Sequence, residues 1–177
     1  MFERSGGILL HPTSLPGRYG IGDLGNEAYN FINFLEAAGQ TIWQVFPLGP
    51  TGYGDSPYQS FSTFAGNPLI ISPQALAEDG LLTYQDLENV PDFDPNDIDF
   101  GRVIPYKFSL LSKAYKKFLV SSQPKDDYAE FCRENASWLE DYALFMENIF
   151  FSRSKSSLNI ISLLFSVSSI IWGIRFL

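Results

Sequence analysis

The chain has 177 residues, with 12 Lys and Arg against 20 Asp and Glu, one His and one Cys. A formal charge of −8 argues against a nucleic-acid groove, because phosphate binding draws on clustered Lys and Arg. Cys132 alone excludes an internal disulfide framework and a Cys-rich zinc site, and His11 alone excludes HExxH chemistry and multi-His metal sites.

With 45% hydrophobic residues, 16% aromatic and only 18% charged, the chain carries enough apolar surface to fold. The totals conceal a break. Residues 1–146 hold nine Lys and Arg against nineteen Asp and Glu, with all eleven prolines. Residues 147–177 hold Arg153, Lys155 and Arg175 against Glu147, with eight serines and dense Ile, Leu and Phe. The opening Met1 to Arg4 carries an acid and precedes only a short apolar run, so it does not read as a secretory signal. The cytoplasm is the expected compartment, and the sequon at Asn135 is expected to stay unmodified.

In chain order, Gly7 to His11 is a continuous apolar run that suits a strand buried on both faces. The loop from His11 to Gly22 holds Pro12, Pro16 and three glycines. From Asn26 the period becomes helical, with Ala28, Phe31, Ile32, Leu35 and Ala38 on one face, Asn26 as the expected cap and Gly39 as the stop. Thr41 to Phe46 reads as a second strand ended by Pro47. Strand, helix and strand within about forty residues form a βαβ unit with parallel strands and a right-handed crossover. A long loop follows from Leu48 to Asn67, then Pro68 to Ser72 as an extended segment and Pro73 to Glu78 as a short helix stopped by Gly80. Residues 88–101, with five acids and two prolines, read as a solvated connector. Two further helices are expected, Val103 to Leu119 and Asp126 to Met146, the second with an apolar stripe through Tyr128, Phe131, Trp138, Leu139, Tyr142 and Phe145.

Gly20-Ile21-Gly22-Asp23-Leu24-Gly25 fits the dinucleotide pattern GxGxxG, but the pyrophosphate turn must follow the first strand directly, and a proline-containing loop intervenes. A turn leading into a helix is the simpler reading. The stretch Thr51 to Phe61 sits at the carboxyl end of the second strand, the sheet edge where α/β proteins bind ligands. Its Tyr and Phe faces, mixed with Asp, Ser and Gln, suit either a carbohydrate or a packing surface. Trp43 reads as core. His11 reads either as a site-lining residue or as a hydrogen-bonded structural histidine. Glycoside chemistry needs two carboxyl groups about 5 Å apart for retention, and Asp23 and Asp55 are the only acids in the first two loops. They form no credible catalytic pair.

Gly7-Ile8-Leu9-Leu10-His11-Pro12-Thr13-Ser14-Leu15-Pro16-Gly17 and the run from Trp43 through Gly52-Tyr53-Gly54-Asp55-Ser56-Pro57-Tyr58-Gln59-Ser60 closely resemble the beginning of bacterial 4-alpha-glucanotransferases, the amylomaltases or disproportionating enzymes. Ala65 to Leu69 and Trp138 to Met146 continue the likeness, which covers residues 1–146. The resemblance implies an α/β fold, the modified (β/α)8 TIM barrel, and retaining double displacement. In that mechanism an aspartate nucleophile forms a glucosyl-enzyme intermediate, a glutamate is acid/base, and an α-glucan replaces water as acceptor. It further implies 1,4-alpha-glucans and maltooligosaccharides as partners, with no metal or organic cofactor. Ser56 and Tyr58 are implied to lie near the donor-sugar pocket, Tyr58 as a stacking platform and Ser56 as a hydroxyl partner, with Tyr53 touching a more distant part of the glucan.

The family's catalytic carboxylates belong to later barrel strands, so the chain is expected to lack them, to represent an incomplete barrel with its first βαβ unit and following helices, and to be inactive alone. A full barrel takes about 250 residues. Open strand edges and uncovered apolar surface are expected unless a partner supplies the rest. The alternative is a non-catalytic glucan-binding or membrane-attached fragment. Residues 147–177 read as an unrelated apolar tail: an aberrant, out-of-frame end, a membrane or interfacial helix over 158–177, or a packed helix.

Overall fold

A computed structural model describes residues 4–121 and 126–151. The strand β1 (Gly7–Leu9) pairs in parallel with β2 (Ile42–Gln44), and the helix α1 (Asn26–Ala37) connects them. The register sets Gly7 against Ile42, Ile8 against Trp43 and Leu9 against Gln44. Backbone bonds extend the pairing at both ends, from Thr41 N to the Gly6 carbonyl and from Leu10 N to the Gln44 carbonyl, each 3.0 Å. The expected βαβ unit is present, with strands shorter than the apolar runs that announced them.

Its burial differs from expectation. A strand covered on both faces was expected at Gly7 to His11, yet Leu9 and Ile42 are both 49% exposed. Parallel sheets normally carry cover on both faces. Here α1 covers one face, where Phe31 meets Trp43 edge-on with centroids 5.0 Å apart. The Trp43 indole N–H donates to the Leu10 carbonyl at 2.7 Å and ties the two strands together from that side.

Two local expectations are also corrected. Asn26 is the first residue of α1 rather than its cap; Gly25 occupies the cap position, and its N–H donates to the Asp23 carboxylate at 3.0 Å. Pro68 to Ser72 is not extended. Pro68–Ile70 form a 3-10 turn because the Asn67 side chain accepts the Leu69 N–H at 2.9 Å and Pro68 supplies a helical φ.

The main core lies away from the sheet. The helix α2 (Pro73–Glu78) matches its expected bounds, since the Ser72 hydroxyl caps it and Pro73 starts it. It packs on α3 (Phe100–Val120), whose buried positions Val103, Lys107, Leu110, Leu111, Ala114 and Phe118 repeat at helical spacing. Leu110, Leu111, Ala114 and Phe118 of that stripe join Tyr19, Ile71, Leu76, Leu81, Leu82 and Leu87 in one apolar cluster. A second gathers Ile21, Leu69 and Val103, and Phe93, Ile98 and Phe100 join it. The acidic connector therefore splits by residue type: its acids face solvent while its aromatic and aliphatic residues pack. The single helix expected from Asp126 is two, α4 (Asp126–Glu134) and α5 (Ala136–Phe151). Asn135 breaks them, donating to the Phe131 carbonyl at 2.8 Å and accepting from the Trp138 indole at 3.0 Å.

The apolar run 158–177, and most of the tail 147–177, lie outside the described residues. Among the described residues, no helix is long and apolar enough to cross a membrane.

Candidate functional site

The loop that leaves β2 turns back on itself. Thr51 and Ser60 form an antiparallel bridge, and Gly52 N donates to the Gln59 carbonyl at 2.8 Å. Between them the chain makes a 3-10 turn over Tyr53–Asp55, with Gly54 at φ 76° in the left-handed region that glycine tolerates. Asp55 also takes a positive φ, 54°, which a short carboxylate side chain permits better than most. The returning arm is pinned by its serines. Ser60 donates to the Ser62 carbonyl at 2.7 Å, and the Ser62 hydroxyl accepts from Phe64 N and Ala65 N at 3.1 and 3.0 Å.

The loop encloses a concavity of about 420 Å³ at the carboxyl end of β2, lined by Pro47, Leu48, Gly49, Pro57, Tyr58, Ser60, Phe61, Ser62 and Thr63. That size lies within the range of small-ligand pockets. Gly49 is required there, because a Cβ would run into Ser60 Oγ and lie 2.9 Å from the Ser62 carbonyl oxygen. The far side of the loop rests on α5, where Phe61 meets Phe145 at 6.0 Å and Phe64 stacks on Trp138 at 5.6 Å.

Of the residues singled out in the sequence, Tyr58 lines the concavity and is 71% exposed. Its ring leans on Phe46 at 5.5 Å, and Phe46 stacks on His11 at 6.2 Å. An exposed aromatic is thus held from behind by two further rings. Ser56 is half-buried at the base of Tyr58, where its hydroxyl oxygen accepts the Tyr58 N–H at 3.3 Å and keeps its own hydrogen free to donate. Tyr53 is placed by its backbone in the 3-10 turn, and its side chain lies outside the description.

For His11, the structure selects the hydrogen-bonded reading. Its Nδ1 lies 2.7 Å from Thr13 Oγ1 and caps the turn Pro12–Ser14. Burial lowers its pKa from the ordinary 6.5, against a smaller opposing effect of the Pro47 backbone, so the imidazole is neutral at pH 7. Its Nε2 is buried without a hydrogen-bond partner among the described residues.

The GxGxxG segment is a turn. A Cβ at Gly22 would strike the Pro12 carbonyl and lie 2.6 Å from the Leu15 carbonyl oxygen, so the chain itself fills the space that a pyrophosphate would need. The start of α1 already holds the Asp23 carboxylate. Asp23 in turn lies 3.6 Å from Nζ of Lys107, which is 1% exposed and donates to the Ile71 carbonyl at 2.6 Å. Burial raises the Asp23 pKa, opposed by the Lys107 charge, and burial lowers that of Lys107 to about 8. Asp23 is therefore a structural carboxylate.

Sequence reasoning missed three features. Phe46 supports Tyr58, and its only signal was its place as the last apolar residue before Pro47. Ser62 and Thr63 line the concavity from the returning arm. Lys107 occupies a core position of the α3 stripe, where a charge stands out. Among the described residues no group of His, Cys, Asp and Glu could hold a metal ion.

A parallel βαβ unit with an aromatic-lined concavity at its carboxyl edge makes this an α/β protein. Its family is narrower: the chain belongs to the 4-alpha-glucanotransferase family, whose sequence profile matches residues 10–157. It is 51% identical over 145 residues to a 4-alpha-glucanotransferase of Thermus thermophilus, covering 81% of this chain and 28% of that protein. Against the enzyme of the same name from Synechocystis sp. it is 48% identical over 146 residues, covering 81% of this chain and 29% of the other. Among solved structures, the amylomaltase of Streptococcus agalactiae in complex with acarbose matches with a TM-score of 0.85 and 32% identity, over 97% of this chain and 39% of that one. The amylomaltase of Corynebacterium glutamicum shares the fold at a TM-score of 0.74 and 15% identity, over 96% of this chain and 27% of that one. The chain thus spans under a third of the length of the curated relatives it matches.

Proposed function

We propose that this chain is the opening portion of a 4-alpha-glucanotransferase, contributing one wall of the glucan site to an enzyme that moves segments of 1,4-alpha-glucan onto an acceptor glucan or glucose. The observation that carries the reading is Tyr58: an exposed ring at the carboxyl edge of β2, backed by Phe46 and lining one concavity together with Ser60, Ser62 and Thr63. Pyranose rings have apolar C–H faces that stack on aromatics and hydroxyl rims that need donors and acceptors. In this reading Tyr58 is the platform, Ser56 donates its free hydroxyl hydrogen to a sugar oxygen, and Tyr53 reaches a more distant glucose unit.

Retaining transfer needs a nucleophilic carboxylate at the anomeric carbon and a second carboxyl group that protonates the leaving oxygen. Asp23 is engaged by Lys107 and the start of α1, so in this reading the chain contributes to holding the sugar, and the reacting carboxylates lie elsewhere in the enzyme. The remaining pieces of the reading are an incomplete (β/α)8 barrel over 1–146, a separate apolar tail over 147–177, a cytoplasmic location, and no part for nucleic acid, metal or organic cofactor. The family match ends at residue 157, and the apolar run 158–177 begins at the next residue.

Saturation-transfer NMR with maltotriose tests the binding half. Transfer to the glucose ring protons that disappears in Tyr58→Ala is expected; equal transfer in the variant overturns the site. Incubating the chain with maltotriose tests the other half, and release of glucose together with longer oligosaccharides overturns its inactivity.

A further inference from the structure

We propose that His11 is a positioning residue of the glucan site: its ring, locked by the buried turn that follows β1, backs Phe46 and through it sets the orientation of Tyr58. The proposal rests on the reading of Tyr58 as a sugar platform, and adds the residue on which that platform is founded.

Strand register brings the rings together. Leu9 is the partner of Gln44, so two residues further on His11 stands opposite Phe46, on the same side of the sheet. Their ring centroids lie 6.2 Å apart, with the planes 22° from parallel. Phe46 in turn meets Tyr58 at 5.5 Å and 56°. Exposure rises along the row: His11 is 9% exposed, Phe46 is half-buried and Tyr58 is 71% exposed. The row runs from the interior to the concavity, which Tyr58 lines and His11 does not.

The inner end of the row is fixed. Thr13 N donates to His11 Nδ1 at 3.4 Å, and Thr13 Oγ1 lies 2.7 Å from the same nitrogen. The turn that carries Thr13 is itself held, since Gly22 N donates to the Thr13 carbonyl at 3.0 Å and Pro12 is fully buried. A ring stacked on an imidazole tied down in this way has little room to tilt.

The nitrogens show which part of the side chain is in use. Nδ1 accepts from a backbone N–H, so the neutral imidazole carries its proton on Nε2. That N–H is buried and has no hydrogen-bond partner among the described residues. The Pro47 backbone acts on the ring against burial without reaching hydrogen-bond geometry. A buried unpaired donor calls for a reason. Capping the turn needs only an acceptor beside Thr13 N, which asparagine also supplies. What histidine adds is the flat face against Phe46, and the unpaired Nε2–H accompanies it.

The test compares His11→Asn with His11→Phe in the full chain, reading maltotriose affinity by titration calorimetry and stability by urea denaturation. His11→Asn keeps an acceptor for Thr13 N and loses the ring; it is expected to bind about three- to tenfold more weakly than the parent. His11→Phe loses the acceptor and keeps a ring; it is expected to recover most of that affinity while being the less stable of the two. A role confined to capping gives the opposite order of affinities, and that order overturns the proposal, as does equal affinity in the parent and His11→Asn. A second measurement needs no substitution at His11, because the chain has one histidine. With 15N-labelled histidine the imidazole signals report the Nε2–H form, and maltotriose is expected to shift them in the parent but not in Phe46→Leu. A shift that survives in Phe46→Leu, or no shift in a parent that binds maltotriose, overturns the relay through Phe46. Tyr58→Ala separates the two readings. Lost binding there beside full binding in His11→Asn removes only the positioning role, whereas parent-like binding in Tyr58→Ala removes the platform itself and this proposal with it.

Discussion

Nζ of Lys107 lies 3.6 Å from the Asp23 carboxylate and joins the middle of α3 to the loop that leads into α1. The same ammonium donates to the Ile71 carbonyl at 2.6 Å and lies 6.0 Å from the Tyr19 ring centroid. Removing one partner of a buried pair leaves the other charge uncompensated, at a cost of about 3–5 kcal/mol. Lys107→Met also orphans the Ile71 carbonyl. Asp23 can relieve part of the cost by taking a proton, since burial already raises its pKa. Urea denaturation at pH 7 is expected to show a loss of about 3 kcal/mol, shrinking toward pH 4 as Asp23 protonates. A variant as stable as the parent at pH 7 would sink this account.

The same lysine sets an alkaline trend. Its folded pKa, about 8, lies below its ordinary 10.5, so between those values the unfolded chain binds more protons than the folded one. Stability gained from this group therefore rises with pH through that window and levels off above it. Tyr19 and Tyr106, whose pKa values burial raises, pull the other way once pH passes 10. Comparison with Lys107→Met isolates the lysine. The gap in stability between parent and variant is expected to widen from pH 8 to pH 10; a gap that narrows there contradicts the sign.

How far the sequence reaches is visible in particular elements. The helix α2 was legible to the residue because Ser72, Pro73 and Gly80 are local signals that act through the backbone. Ala28 and Leu35 announced the buried side of α1 by spacing alone, and the parallel pairing of β1 with β2 followed from the crossover. Burial of the strands was misread, since an apolar run reports what a strand could bury and not whether a covering element is present. The 3-10 turn at Pro68 depends on the Asn67 side chain, and the break at Asn135 on two of its hydrogen bonds; neither has a periodic signature. The Thr51 to Phe61 loop stands out by composition at the carboxyl end of β2, where the structure forms the concavity. The ring behind Tyr58 does not, because Phe46 and His11 are brought together by strand pairing across more than thirty residues.

An acid trend comes from Thr83 and Asp86. The Asp86 carboxylate accepts from the Thr83 hydroxyl at 2.6 Å and from Thr83 N at 3.0 Å, while the Thr83 hydroxyl oxygen accepts Asp86 N at 3.2 Å, a complete capping box. These bonds, with Lys113 at 2.9 Å, hold the Asp86 carboxyl well below its ordinary 3.8. The unfolded chain then binds more protons below that value, so the contribution is present above pH 3.8 and fades as pH falls. Thr83→Ala is expected to cost about 1 kcal/mol at pH 7 and less at pH 3. Salt is expected to weaken only the exposed Lys113 part. An unchanged penalty at pH 3 would show that the carboxylate is not the cause.

Phe46 gives the sharpest test of how the site is built. It touches Tyr58 at 5.5 Å and His11 at 6.2 Å, and it lines no part of the concavity itself. Replacing it with leucine keeps apolar contact but removes the flat surface on which the Tyr58 ring leans, and aromatic pairs contribute about 0.5–1.5 kcal/mol beyond their buried area. If Tyr58 binds glucan as a preoriented platform, loosening its support adds an ordering cost on binding without removing any direct contact. Phe46→Leu is therefore expected to weaken maltooligosaccharide binding by about two- to tenfold, a free-energy difference comparable to the aromatic contribution. Titration calorimetry should show a less favourable binding entropy. Unaltered affinity in Phe46→Leu, beside lost affinity in Tyr58→Ala, would mean that Tyr58 needs no support from behind and that the three-ring stack serves folding alone.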